Sequence, residues 1–85
     1  MRLHDFKAKW IAELTLYTPR SERERELRDR LVTKIYNLRA MTLPDLLHTL
    51  YLIIEHEKNV STEFRNLCRS IVESLSELVK TGVEE

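Results

Sequence analysis

The sequence predicts an all-α protein, a compact antiparallel array of four helices built from one domain over residues 1–85. Apolar residues recur at intervals of three and four along the chain, and no stretch alternates apolar and polar residues over the length of a strand. The chain has a single Gly, whereas the tight turns of a β domain depend on Gly. The predicted connections are short, and short connections make successive helices antiparallel neighbours.

The first predicted helix covers residues 3–17. Its apolar residues fall on one face: Leu3, Phe6, Trp10, Leu14 and Tyr17. We expect the helix to end at Thr18-Pro19, because the residue before a proline is disfavoured in the α conformation.

The second predicted helix covers residues 21–41. Ser21 and Glu24 have the spacing of a capping box, in which the Ser21 hydroxyl accepts from a free N–H and the Glu24 carboxylate reaches back to the N–H of Ser21. The apolar face begins after two charged turns and consists of Leu27, Leu31, Ile35, Leu38 and Met41.

The third predicted helix covers residues 43–58, with Thr42 as its cap, Pro44 in the first turn and Asp45 answering the cap. The fourth covers residues 61–81, and its stripe has the spacing of a coiled coil: Phe64, Cys68, Ile71, Leu75 and Leu78. We expect Gly82 to end it with a positive φ, bringing Val83 against Leu78. Residues 83–85 are predicted to form a short acidic tail.

Each helix has an apolar residue at the centre of its buried face, and these four are predicted core residues: Trp10, Leu31, Leu50 and Ile71. The longest apolar run, Leu50 to Ile54, is far shorter than the roughly 20 residues of a membrane span. The first residues lack the apolar stretch of a signal peptide, and one Cys excludes a disulfide framework within the chain. We therefore expect a cytoplasmic protein that does not enter a membrane.

The formal net charge is zero, but the charge is unevenly distributed. Residues 1–39 contain ten Lys and Arg against six acids, whereas residues 40–85 contain four against eight. The favoured interpretation is that the two halves neutralise each other in the folded chain. The alternative is a basic surface for nucleic acid, although nucleic-acid-binding domains usually carry a net basic surplus.

No motif for catalysis, cofactor binding or metal binding is present, so the sequence predicts none of these sites. His4, His48 and His56 lack the spacing of metal ligands and are interpreted as solvated. Cys68 lies within an apolar stripe, where a thiol packs as a small apolar group. A small all-α enzyme is accordingly the weakest of three hypotheses.

Basic residues flank the apolar stripe of the second helix, and acids occupy its back. One border has Arg23, Arg30 and Lys34, and the other has Arg25, Arg28 and Arg39. A helix that reads DNA usually presents basic residues outward, so this pattern favours side chains that snorkel along the apolar seam or that pair with acids on a neighbouring helix.

The sequence therefore predicts a non-catalytic protein–protein interaction module, such as an adaptor, inhibitor or regulatory subunit. The predicted partner-binding residues are Arg25, Arg28, Val32, Tyr36, Arg39 and Leu52. The apolar residues among them are expected to form one exposed patch together with Leu16. The alternative, a nucleic-acid-associated regulator, uses Arg20, Arg23, Arg30 and Lys34. We also expect a homodimer or partner contact through the second and fourth helices, because both are predicted to be longer than the other two.

Overall fold

Four α-helices and one turn of 3-10 helix make up the fold of residues 1–83, the part of the chain that the computed structural model describes. The helices are α1 (Leu3–Leu16), α2 (Glu22–Tyr36), α3 (Leu43–His56) and α4 (Thr62–Lys80), and the 3-10 turn is Ala40–Thr42. No strand occurs within this range. The predicted all-α array is confirmed.

The helices pack in a closed ring. α1 contacts α2 and α4, and α3 contacts α4 and α2; the most extensive contacts are those between α3 and α4 and between α1 and α2. One apolar core fills the space between them, and all four predicted core residues lie in it: Trp10, Leu31, Leu50 and Ile71. Cys68 is buried in the same core.

α2 ends five residues earlier than predicted, because polar groups near Tyr36 close its last turn. The Asn37 side-chain Nδ2 donates to the carbonyl of Thr33 over 3.0 Å, and the N–H of Leu38 donates to the carbonyl of Ile35. Leu38 is buried as predicted, but Met41 lies in the 3-10 turn with 82% of its surface exposed. The assignment of Met41 to the buried face was wrong.

The early end of α2 also changes the comparison of helix lengths. α2 has 15 residues, close to the 14 of α1 and the 14 of α3, whereas α4 has 19. The expectation of two long helices was therefore wrong for α2, and α4 alone extends beyond its neighbours.

The start of α3 is built differently from the predicted cap. The Thr42 Oγ1 accepts from the N–H of Arg39 over 3.0 Å and thereby closes the 3-10 turn, and it makes no cap bond to α3. Pro44 does lie in the first turn. The Asp45 carboxylate pairs with Lys34 of α2 instead of answering Thr42.

The ends of α3 and α4 are formed in different ways. The Arg65 guanidinium of α4 donates to carbonyls at the end of α3, including Ile53 over 3.2 Å and Glu57 over 3.0 Å, which satisfies acceptors that the helix itself leaves free. After α4, Gly82 has a φ of 83°, as predicted, and Val83 packs against the core. Glu84 and Glu85 of the predicted tail lie outside the described residues.

Candidate functional site

The carboxylate of Glu24 lies at the junction of several segments. Glu24 is 1% exposed and is the one charged side chain that is buried among residues 1–83. Its Oε1 accepts from the Tyr17 hydroxyl over 2.5 Å and from the N–H of Arg20 over 3.1 Å, and its Oε2 accepts from the N–H of Ser61 over 2.5 Å. We call these residues the Glu24 cluster. It ties the end of α1 and the start of α4 to α2.

One of the two hydrogen bonds of the predicted capping box is present, and the prediction of the other was wrong. The Ser21 Oγ accepts from the N–H of Glu24 over 3.1 Å, as expected. The Glu24 carboxylate, however, reaches Arg20 and Ser61 rather than the N–H of Ser21. The sequence spacing identified the helix start, but it carried no information about Ser61, which is 37 residues away.

The electrostatics of the Glu24 cluster indicate a structural role. Burial raises the pKa of Glu24, but hydrogen bonds from Tyr17, Ser61 and Arg20 outweigh burial and hold that pKa below its ordinary value. Burial and the bond to Glu24 raise the pKa of Tyr17. Both carboxylate oxygens are occupied, so the group holds segments together and is not open to a ligand.

A groove between α2 and α3 is the second candidate site. α2 contributes Arg23, Leu27, Arg30 and Lys34, and the α3 side contributes Thr49, Leu52, Ile53 and Glu57. Its volume is about 370 Å³. Leu27 and Ile53 are buried, whereas Leu52 is 45% exposed, so the α2–α3 groove offers an apolar floor with a solvent-facing leucine.

Some charged groups of the α2–α3 groove pair with an opposite charge, and one does not. Arg23 holds Glu57 in a fork, with Nε to Oε1 and Nη2 to Oε2 both 3.0 Å. This hydrogen bonding is the main reason that the pKa of Glu57 is lowered; burial opposes it, and the charges of Arg23 and Arg30 add to it. Lys34 pairs with Asp45 over 2.6 Å. Arg30 makes no hydrogen bond or ion pair with any described residue.

Three ion pairs join the basic half of the chain to the acidic half. They are Arg23 with Glu57, Lys34 with Asp45, and Arg20 with Glu63. Each connects α2, or the turn before it, to α3, α4 or the segment between them. These contacts support the interpretation that the two halves neutralise each other, at three positions.

The predicted partner-binding residues lie on more than one surface of the structure. Leu52 lies in the α2–α3 groove with three residues of the nucleic-acid alternative, Arg23, Arg30 and Lys34. Leu16 lines a different groove, between α1 and α4.

The border of α2 that carries Arg25, Arg28 and Arg39 makes some contacts within the chain. Val32 is partly buried against the core, and the Arg28 guanidinium donates to the carbonyl of Tyr17 over 3.2 Å. Tyr36 is 68% exposed, and Arg25 and Arg39 are exposed as well. No described contact joins this border to Leu52.

Sequence reasoning missed a second, apolar groove between the start of α3 and the end of α4. It is lined by Leu43, Pro44, Leu47, Leu75, Ser76, Val79 and Lys80 and has a volume of about 390 Å³. The available signal was the width of the apolar faces of these two helices. Sequence reasoning also missed Glu57 and Thr49 of the α2–α3 groove, since their roles depend on how α2 and α3 pack.

The remaining reactive side chains lie either in the core or on the surface of the described residues. Burial raises the pKa of the Cys68 thiol to about 12, so it is protonated at neutral pH. His4, His48 and His56 are exposed. Within residues 1–83, no three His, Cys, Asp or Glu side chains come together as metal ligands. The buried indole N–H of Trp10 has no acceptor among the residues that the structure describes.

Comparisons of the chain with protein-family models, with curated proteins and with solved structures find no match. No helix among the described residues combines the length and the apolar content that a membrane crossing requires. The function is therefore inferred from the side chains of the chain itself.

Proposed function

We propose that this chain is a small non-catalytic protein–protein interaction module, an adaptor, inhibitor or regulatory subunit, that binds a partner protein through the α2–α3 groove. The observation that carries the proposal is the position of Leu52. It lies exposed beside buried Leu27 and Ile53, with Arg23 and Arg30 along the same groove. An apolar centre within a polar rim that contains Arg is the usual composition of a protein interface.

A protein partner fits the groove better than nucleic acid does. Arg23 and Lys34 already pair with Glu57 and Asp45, which leaves fewer cations for phosphate. No aromatic side chain lines the groove to stack on a base. A nucleic-acid-associated regulator using Arg20, Arg23, Arg30 and Lys34 is the alternative.

The non-catalytic part of the proposal is supported by the state of the two most buried reactive groups. The Cys68 thiol is protonated at neutral pH, and both oxygens of Glu24 are engaged. A buried free thiol also fits the reducing cytoplasm, the compartment that we propose.

Self-association is a separate proposal, supported by the length of α4, which extends beyond its neighbours. Light scattering at low micromolar concentration measures it directly. A mass near 10.2 kDa excludes a homodimer, and twice that mass supports one.

Affinity capture from the cells that produce the protein tests the main proposal. We expect tagged wild-type protein to retain a partner that survives nuclease treatment. Leu52→Asp should lose that partner, because a carboxylate replaces the exposed apolar group of the groove. Leu16→Asp is the matched control, since Leu16 is also exposed but lines the groove between α1 and α4.

Two outcomes of the capture experiment contradict the proposal. One is a partner that disappears after nuclease, which favours the nucleic-acid alternative. The other is equal capture by wild type and Leu52→Asp. Tyr36→Glu tests the other border of α2 in the same experiment, and loss of the partner through that substitution alone moves the binding surface there.

A further inference from the structure

The charges along the α2–α3 groove indicate the chemistry of what binds there. Three cations and one carboxylate line it. Glu57 is held by Arg23, and Lys34 is paired with Asp45, which lies outside the lining. Arg30 has no such partner among the described residues. Arg23 also contacts Glu26 over 3.3 Å, so Arg30 is the one cation of the groove that has no ion pair among the described residues, and it lies in the same groove as the exposed Leu52.

The cations follow a helical spacing along α2. Arg23, Arg30 and Lys34 stand at i, i+7 and i+11, so they fall on one face and span roughly 16 Å along the helix axis at 1.5 Å per residue. Leu27 lies among them on the same face. Leu27 is only 2% exposed, so a partner segment lying along this face meets the basic side chains over about three helical turns and meets Leu52 on the α3 side of the groove.

We propose, building on the function proposed above, that the α2–α3 groove binds an acidic amphipathic segment of a partner protein. An apolar side chain of that segment lies against the exposed Leu52, and its carboxylates face Arg30, with Arg23 and Lys34 on either side. Carboxylates pair well with guanidinium groups, which present a fork of donors. The pairing gives the groove a preferred charge on its partner as well as a place for an apolar group.

The groove distinguishes this occupant from the other classes of ligand. A basic segment places its charge against Arg30 and is repelled. A nucleic acid has no apolar side chain for Leu52. An acidic segment with an apolar face matches both the exposed Leu52 and the Arg30 guanidinium, which has no ion pair among the described residues.

Two synthetic helix-forming peptides of about 14 residues, roughly 21 Å long as helices, are suitable probes. Both carry Leu at the same positions of one face; one has Glu at the flanking positions and the other has Lys. Each is titrated into the full ¹⁵N-labelled chain, and the amide shifts give the dissociation constant and the surface contacted. A labelled single-stranded oligonucleotide and its duplex form the third arm.

We expect the Glu peptide to bind with shifts confined to α2 and α3, about tenfold or more tightly than the Lys peptide, which corresponds to about 1.4 kcal/mol. Arg30→Glu should weaken the Glu peptide by a similar factor, and Arg30→Gln by less. Arg25→Glu is the matched control, since Arg25 is exposed on the same helix but does not line the groove. Urea unfolding of each variant establishes that it folds.

Any of four results overturns the inference: no binding of the Glu peptide, equal binding of both peptides, no effect of Arg30→Glu, or tighter binding of the oligonucleotide than of the Glu peptide. Capture of the natural partner separates this failure from that of the function. If Leu52→Asp loses the partner and Arg30→Glu keeps it, the module stands and the acidic occupant is wrong. If both substitutions keep it, the groove has no binding function.

Discussion

Glu24 and Arg30 lie fewer than two turns apart on α2, yet their charges are placed in opposite ways. The Glu24 carboxylate is buried and accepts three hydrogen bonds from Tyr17, Arg20 and Ser61. The Arg30 guanidinium is exposed and makes no hydrogen bond or ion pair within residues 1–83, although its charge contributes to the lowered pKa of Glu57. A buried ion must be satisfied within the protein, because an unpaired one is costly. An exposed ion is satisfied by water and can exchange that water for a partner.

The difference assigns two tasks to one helix. The first turn of α2 anchors the connections on either side of it, since the Glu24 cluster reaches the end of α1 and the start of α4. The face that carries Arg23, Arg30 and Lys34 borders α3 only through ion pairs and the apolar floor of the groove. Substitutions in the first region should alter stability, and substitutions in the second should alter binding.

The largest expected effect is that of Glu24→Ala. It leaves the N–H groups of Arg20 and Ser61 without their acceptor, and it leaves the Tyr17 hydroxyl with the Ser61 hydroxyl alone as a partner. We expect a loss of about 3–5 kcal/mol in the free energy of unfolding, since each unsatisfied donor costs about 1–3 kcal/mol. Urea unfolding measures it. Glu22→Ala, at an exposed position of the same turn, should cost less than about 1 kcal/mol. Similar losses for the two variants would show that the Glu24 cluster does not anchor the fold.

A smaller effect is expected from acid. The pKa of Glu24 is lower in the folded chain than its ordinary value of 4.5, so below that value the unfolded chain binds more protons. The stabilisation is therefore complete above the ordinary value and is lost as the pH falls through the folded pKa. We expect Glu24→Gln to flatten the decline of the urea midpoint between about pH 6 and pH 3.

Glu57 provides the comparison for the acid experiment, because its pKa is also lowered, mainly by its hydrogen bonds to Arg23. Its side chain is more exposed than that of Glu24, so Glu57→Gln should flatten the decline less. A greater effect of Glu57→Gln would place the pH-sensitive anchor in the α2–α3 groove.

The smallest effect on stability is expected in the groove itself. Arg23→Gln breaks the pair with Glu57, but these partly exposed side chains are screened by water, so we expect a loss of stability in urea unfolding that is far smaller than that of Glu24→Ala. A loss as large as that of Glu24→Ala would mean that the groove is part of the structural anchor and is not free to exchange partners.

The sequence predicted what depends on neighbours along the chain. The intervals of three and four placed Trp10, Leu31, Leu50 and Ile71 in the core, and the single Gly ended α4 with a positive φ. It did not predict the end of α2, because the competing bond from Asn37 to Thr33 is set by one side chain within a still-apolar pattern.

The polar contacts between helices were harder to predict than the core. Arg23 and Glu57 are 34 residues apart, and Glu24 and Ser61 are 37 apart. Local spacing fixes which residues share a face, but the rotation of one helix against another decides which charges meet. For the same reason, sequence patterns assigned Leu52 and Arg30 to different hypotheses, although the structure brings them into one groove.

The most direct test of the separation between anchor and groove measures stability and partner capture on the same two variants, Glu24→Gln and Leu52→Asp, at neutral pH and a temperature at which both are folded. We predict that Glu24→Gln is less stable than wild type in urea but retains the captured partner, whereas Leu52→Asp keeps close to wild-type stability and loses the partner. The reverse pattern, or the loss of stability and binding together in both variants, would contradict the account.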